Sequence, residues 1–201
     1  MNRHLIVFVK NPELGKVKTR IAATAGDEQA LAIYRKLLEI TQRTMDNLSC
    51  QVHVYYSSFI DNHDLFKGSN TTKSLQAVGD LGEKMSLAFQ DIFNQKPDAK
   101  VVIMGSDCPD ITPDIISQAF NSLENHHLVV GPTFDGGYYC LGMDAYYPEV
   151  FKHILWSSSS VFSKTIQIAE KQNLSYHKLP TLHDIDHEED WIAYQSRQSP
   201  I

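Results

Sequence analysis

Three short stretches of this chain carry side chains whose types and spacing suit the chemistry of phosphates and hard cations. The first, Lys10-Asn-Pro-Glu-Leu-Gly-Lys-Val-Lys-Thr-Arg20, holds four cations (Lys10, Lys16, Lys18 and Arg20) in eleven residues. Pro12 and Gly15 keep it a loop, and a glycine allows the backbone to approach polyphosphate oxygens that ammonium and guanidinium groups can hold. It matches neither the Walker A nor the G-x-G-x-x-G pattern, and a solvated basic loop would look the same. The second, Gly105-Ser-Asp-Cys-Pro109, presents one carboxylate, Asp107, where an apolar run stops. A plain acidic loop between strand and helix is the alternative there. The third is Asp184-Ile-Asp186, within the densest acidic cluster of the chain, residues 182–191. Two positions apart in an extended segment, both carboxylates face one way and suit a hard cation. Asp186 and Glu189 also have the spacing of a helix capping box. His183 and His187 lack a nearby cysteine or further histidine, so zinc is not expected.

The elements around these stretches are legible from periodicity. Residues 4–9 and 101–104 are continuous apolar runs, the pattern of parallel strands covered on both faces, and they end at the first two stretches. Ligands of open α/β sheets bind beyond the carboxyl ends of such strands. Pro109 blocks helix, and Thr112-Pro113 restarts it as N-cap and first turn. Residues 31–48 carry a helical apolar stripe (Leu31, Tyr34, Leu37, Leu38, Thr41, Met45, Leu48) that reads as core packing. Residues 51–56 and 74–78 are further strands, the latter ending in Gly79-Asp-Leu-Gly82, whose glycines imply a tight turn or a close approach to a ligand. Helix resumes through Met85, Ala88, Phe89, Ile92 and Phe93, which share one face, and a helix with Ile115, Ile116, Ala119, Phe120 and Leu123 follows the Asp107 stretch. Residues 127–132 and 138–143 flank Thr133-Phe-Asp-Gly-Gly137, a hairpin signal that predicts an antiparallel excursion. Residues 148–155 read as helix, Trp156-Ser-Ser-Ser-Ser160 leads into another, and residues 174–179 form a late strand before a final helix through Trp191 and Tyr194. Strands alternating with helices predict a three-layer α/β/α sandwich with a mostly parallel central sheet.

The 201 residues are expected to form one domain, residues 1–201, with 42% hydrophobic and 21% charged residues excluding disorder. A net charge of −6 argues against a broad basic face for nucleic acid. Cys50, Cys108 and Cys140 are odd in number and far apart, as in a reducing compartment. The apolar run at residues 5–9 is too short for a signal core or a membrane span, so a soluble cytoplasmic protein is expected. Cys108, beside Asp107, reads as a packing residue.

Taken together, and in this order along the chain, several motifs resemble the selenodomain-associated transferases, type one. They are Phe8-Val-Lys-Asn-Pro-Glu-Leu-Gly-Lys-Val-Lys-Thr-Arg20, Gly79-Asp-Leu-Gly-Glu-Lys-Met85, Gly105-Ser-Asp-Cys-Pro109, Gly131-Pro-Thr-Phe-Asp-Gly-Gly-Tyr-Tyr139, Trp156-Ser157 and Asp184-Ile-Asp186. That family is described as glycosyltransferase-like, in the nucleotide-diphospho-sugar transferase (GT-A-like) superfamily; phospholactate guanylyltransferases are more distantly similar. The resemblance implies that Lys10, Gly15, Lys18 and Arg20 hold nucleotide phosphates and that Gln76, Gly79 and Gly82 line the base and ribose. It further implies that Asp107, Asp184 and Asp186 bind Mg2+ or Mn2+, and that Asp135, Gly136, Gly137, Trp156 and Ser157 border the acceptor. Asp107, Lys18 and Arg20 would be the catalytic groups. Lys84 stands where arginine is common, and Cys108-Pro109 follows Asp107 in place of an Asp-X-Asp, so metal binding needs Asp184 or Asp186 to fold back beside Asp107. Three functions follow as expectations: sugar transfer from a nucleoside diphosphate sugar to a small acceptor, nucleotidyl transfer from a triphosphate with release of pyrophosphate, or nucleotide binding without catalysis.

Overall fold

In the computed structural model, which describes residues 2–198, the apolar runs are strands of one seven-stranded sheet. The strands are β1 (Arg3–Val9), β2 (Gln51–Tyr56), β3 (Thr71–Leu75), β4 (Lys100–Met104), β5 (Leu128–Pro132), β6 (Tyr138–Met143) and β7 (Tyr176–Lys178). Their spatial order is β3-β2-β1-β4-β6-β5-β7. All neighbours are parallel except β6, which runs antiparallel to both β4 and β5. The helices are α1 (Thr19–Ala25), α2 (Asp27–Asp46), α3 (Leu81–Gln95), α4 (Pro113–Ser122), α5 (Val161–Lys171) and α6 (Glu188–Gln198).

The unalternating strands have the physical cause read from their composition: both faces are covered. Along β1, Leu5, Val7 and Val9 enter one core while Ile6 enters the other, and β4 divides Val102 and Met104 from Val101 and Ile103 in the same way. Helices α1, α2, α4 and α6 contribute to the first core, and α3 and α5 with a short 3-10 turn (Pro148–Phe151) to the second. The expected three-layer architecture and the antiparallel excursion are therefore both present. Thr112 caps α4 as expected, its hydroxyl accepting the Ile115 N–H, with Pro113 in the first turn. Helix α3 opens on a reciprocal capping box between Asp80 and Glu83.

Several boundaries differ from expectation. The third strand lies at Thr71–Leu75, not 74–78: as the edge strand it has one partner and side chains that are half-buried or exposed, so its Thr-Thr-Lys-Ser sequence carries no apolar signal. Residues 148–155 are not a helix. Only Pro148–Phe151 turn, and His153 sits at φ 58. The late strand is shorter than 174–179, at Tyr176–Lys178, and α2 ends before Leu48. The basic segment is a loop only as far as Lys18; from Thr19 it is helical. The box before α6 is made otherwise than expected. The Asp190 carboxylate accepts the N–H groups of Asp186 and His187, which leaves the Asp186 side chain available elsewhere.

Parallel strands place their carboxyl ends on one side, and the antiparallel β6 brings the Thr133–Gly137 turn to that side as well. Residues 179–186 return beside β5 through Leu179 N–H to Val130 O, Leu182 N–H to Pro132 O and Phe134 N–H to Leu182 O, at 2.9, 3.1 and 3.2 Å. All three chemically suggestive stretches therefore open at one end of the sheet.

Candidate active site

The centre of that end is the Lys18 ammonium. Lys18 is the N-cap of α1 and adopts left-handed backbone angles (φ 46, ψ 47), which cost a non-glycine residue about 1 kcal/mol or more. The strained turn directs the side chain inward, where it is only 6% exposed. Its Nζ lies 2.9 Å from Asp107 Oδ1 and 3.8 Å from Asp186 Oδ1, and it donates to Ile185 O at 2.6 Å. Arg20 Nη1 donates to Asp186 Oδ2. The Ile185 N–H in turn donates to Asp107 O at 2.9 Å, so the distant acidic segment is clipped to the β4 loop by its main chain. Lys18, Arg20, Asp107 and Asp186 are thus brought together as the sequence implied.

Asp184 lies in the same segment. Burial, followed by the charges of Asp135 and Asp186, lifts its carboxyl to about 6, with Lys18 acting in the opposite direction. The lift is chiefly the cost of burying a charged carboxylate. Among the described residues no three His, Cys, Asp or Glu side chains form a cluster able to hold a metal ion by themselves. The donor set nonetheless fits a hard divalent cation, since it offers carboxylate oxygens only, and magnesium commonly takes one or two of these with phosphate and water oxygens completing the shell.

The other implied residues are mostly engaged with the protein. Gln76 Nε2 donates to Val9 O and Tyr55 O at 3.2 and 3.1 Å, tying the ends of β1 and β2. Gly79 (φ +132) makes room for the Glu83 side chain of the capping box, and a Cβ on Gly82 would stand 2.2 Å from Trp156 Nε1. Gly136 (φ +91) packs against the Ser159 carbonyl, and its own carbonyl accepts the Phe162 N–H. Asp135 accepts from the Thr133 hydroxyl and the Gly137 N–H, the turn-forming role that Asp-Gly-Gly also suggested. Ser157 has φ 59 in the loop that Gly136 supports. Gly15 (φ +72) shapes the basic loop, where Lys16 pairs with Glu13 and the Lys10 side chain has no carboxylate partner among the described residues.

Sequence reading missed the residues that fasten these loops. Tyr34, assigned to the core stripe of α2, is buried, but its hydroxyl accepts from Lys10 N–H (2.8 Å), donates to Lys10 O (3.1 Å) and lies 3.2 Å from Ser106 Oγ. It thereby joins the β1 loop to the β4 loop; burial and the Asp107 charge push its phenol pKa up. A tyrosine inside an apolar stripe is the available signal, because a buried hydroxyl needs a partner. Buried Asn11 similarly grips residues 57–59, donating to Phe59 O and accepting from Ser58 N–H. Cys108 is buried and its thiol is pushed up to about 12, which leaves it inert as a nucleophile. The three cysteines are free.

The sequence profile of the DUF2064 family, "Uncharacterized protein conserved in bacteria", matches residues 40–158. The chain belongs to this family. Among solved structures, a protein from Desulfovibrio desulfuricans G20 assigned as a nucleotide-diphospho-sugar transferase is 32% identical, with 98% of this chain and 88% of that one covered and a TM-score of 0.88. The 4-diphosphocytidyl-2C-methyl-D-erythritol synthase of Anaerococcus prevotii DSM 20548 is 12% identical over 98% of this chain and 95% of its own, at a TM-score of 0.61. Rv0371c of Mycobacterium tuberculosis H37Rv, solved in complex with manganese, is 11% identical over 96% of each chain, at a TM-score of 0.54. The last two likenesses concern the fold alone. No curated protein matches the chain. The resemblance to the GT-A-like superfamily is borne out at the level of fold and relatives. No helix among the described residues is long and apolar enough to cross a membrane.

Proposed function

We propose that the protein is a metal-dependent transferase that moves a sugar from a nucleoside diphosphate sugar to an acceptor. The observation that carries this reading is the convergence of Lys18 from the β1 loop, Asp107 from the β4 loop and Asp186 from the returning segment on one point at the carboxyl end of the sheet. The chemistry needs charge compensation on a departing diphosphate and an aligned acceptor, with no protein nucleophile. Lys18 and Arg20 supply cations pre-positioned by their carboxylates. Asp107 with Asp184 or Asp186 would hold Mg2+ or Mn2+, which supplies Lewis acidity toward the diphosphate when bound. Asp135 and the loop carrying Trp156 and Ser157 border the acceptor side. In the transfer, the bond from the anomeric carbon to the diphosphate oxygen breaks. A bond to the acceptor oxygen forms, and the acceptor proton passes to solvent.

Nucleotidyl transfer is favoured by a different observation. Lys10 and the exposed Lys16 extend the cationic loop beyond the Lys18–Arg20 pair, a length that suits a triphosphate. Thermal denaturation with nucleotide sugars and triphosphates, each with and without Mg2+ or Mn2+, should show a metal-dependent rise of a few degrees for the true donor. Release of nucleoside diphosphate from a sugar nucleotide supports the first reading, and release of pyrophosphate from a triphosphate selects the second. Stabilisation without either product would leave a binding module, and the absence of any shift overturns all three.

A further inference from the structure

Lys18 and the carboxylates assigned to the cation are already spent on one another. The Lys18 Nζ lies 2.9 Å from Asp107 Oδ1 and 3.8 Å from Asp186 Oδ1, so the ammonium holds oxygens that a divalent ion would need. Arg20 pairs with the other Asp186 oxygen. The same ammonium is the group that suits a phosphate, yet its further contact is the Ile185 carbonyl at 2.6 Å.

Nor can the ammonium drift aside freely. Ile185 is buried, and its N–H is bonded to the Asp107 carbonyl at 2.9 Å, while the Lys18 carbonyl accepts the Ala22 N–H of α1 at 2.9 Å. Access also differs between the two kinds of charge. The Lys18 side chain is 6% exposed, whereas those of Asp107 and Asp186 are 50% and 34% exposed, so solvent reaches the carboxylates far more than the ammonium.

This arrangement opposes either ligand by itself. A polyphosphate without metal is repelled by the exposed carboxylates and must draw out an ammonium that they and Ile185 hold. A divalent cation without phosphate must share those carboxylates with a fixed positive charge that water screens little. With both present, phosphate oxygens receive the ammonium, the carboxylates receive the cation, and the two ligands compensate each other. We propose that Lys18 is the internal counter-cation of Asp107 and Asp186 and makes divalent metal and polyphosphate bind as a pair, each weakly without the other. This coupling rests on the metal and phosphate reading above and not on which group is transferred. It is reciprocal: the factor that metal adds to the affinity for polyphosphate is the factor that polyphosphate adds to the affinity for metal.

Mn2+ and inorganic pyrophosphate, a diphosphate without base or sugar, serve as probes of the full chain. Titration of Mn2+ without phosphate, followed by its electron paramagnetic resonance signal, should show weak binding by wild type and binding about tenfold tighter or more by Lys18→Met. Lys18→Arg keeps the charge and should bind Mn2+ as weakly as wild type. Calorimetry should show the opposite effect from the opposite change. With EDTA present, Asp107→Asn should bind pyrophosphate about tenfold more tightly than wild type, because it releases the ammonium. Denaturation midpoints check the fold of each variant, and if Lys18→Met does not fold, Lys18→Gln, uncharged but still a donor to Ile185, takes its place. A merely structural ion pair would leave both affinities unchanged or weaken both, and either result overturns the proposal. So does a gain in Mn2+ affinity with Lys18→Arg equal to that with Lys18→Met. If wild type binds Mn2+ with pyrophosphate and the uncharged Lys18 variants gain nothing, the metal reading stands and only the coupling is lost. If wild type binds no Mn2+ even with pyrophosphate, the metal reading falls and the coupling with it.

Discussion

At the carboxyl end of the sheet, cations and carboxylates from separate segments are pressed into one cluster, whereas toward the amino end the polar side chains pair off locally. His4 Nδ1 lies 3.0 Å from His53 Nε2 with the rings stacked, and His53 Nδ1 lies 2.8 Å from the Thr72 hydroxyl. His127 and Ser175 form a comparable pair at 2.8 Å. Those groups satisfy one another and no net charge accumulates. Around Lys18, by contrast, one ammonium faces two carboxylates, its own backbone is strained, and burial, followed by the charges of Asp135 and Asp186, holds Asp184 near a pKa of 6. Chemistry belongs where charges are gathered without being fully compensated, since that arrangement is what a phosphate and a cation can complete.

The comparison predicts that changes at the two ends separate activity from stability. Lys18→Met should show the largest effect, lowering turnover roughly hundredfold or more. Its carboxylate partners are half and one-third exposed, so water relieves them and the unfolding free energy should move by no more than about 1 kcal/mol. Steady-state kinetics beside a denaturant titration checks both halves, and a fold that collapses with this change would mean that the cluster is structural.

Charge and glycine differ in how far they can be read from sequence. Lys18, Arg20, Asp107 and Asp186 were recognisable because few structural needs call for four such groups at successive strand ends, and the structure brings them together. Gln76, Gly79 and Gly82 were less decidable. A glycine permits close approach by whatever is near, and here Trp156 and Glu83 already take that space. Tyr34 was hidden for the opposite reason: its ring obeys the apolar period of α2, and only its hydroxyl does something else. The strand order and layers followed from unalternating runs, while the edge strand β3 had too little burial to reveal itself.

Gly82→Ala should therefore behave as a packing lesion even though it lies at the carboxyl end of the sheet. The added methyl meets the Trp156 indole at a distance no Cβ tolerates, and the expected loss is about 1 to 3 kcal/mol of stability. Denaturation followed by tryptophan emission reports it directly. A stable variant with selectively weakened nucleotide binding would instead return Gly82 to a ligand-lining role. Tyr34→Phe is the next smaller case. It deletes one hydroxyl shared between Lys10 and Ser106, which should cost about 1 kcal/mol and also diminish the nucleotide-induced thermal shift, because the β1 and β4 loops lose their common anchor.

The smallest effect is expected toward the amino end and concerns pH alone. Burial lowers the pKa of both His4 and His53, the latter to about 4 from 6.5, with the mutual charge of the pair adding to the shift in His53. A histidine whose folded pKa is depressed binds fewer protons than the unfolded chain does, so stability rises with pH across the interval between the two values. The contribution is complete above about pH 6.5 and is lost progressively as the pH falls toward 4. Since His53 is partly exposed, the loss should be no more than about 1 kcal/mol. Protonation of both rings also removes the acceptor from the His4–His53 hydrogen bond, so the two must titrate unfavourably together. His53→Gln should flatten this part of the stability profile while leaving turnover at neutral pH unchanged. A variant that alters turnover instead would show that the two ends of the sheet are not separated in the way their polar groups suggest.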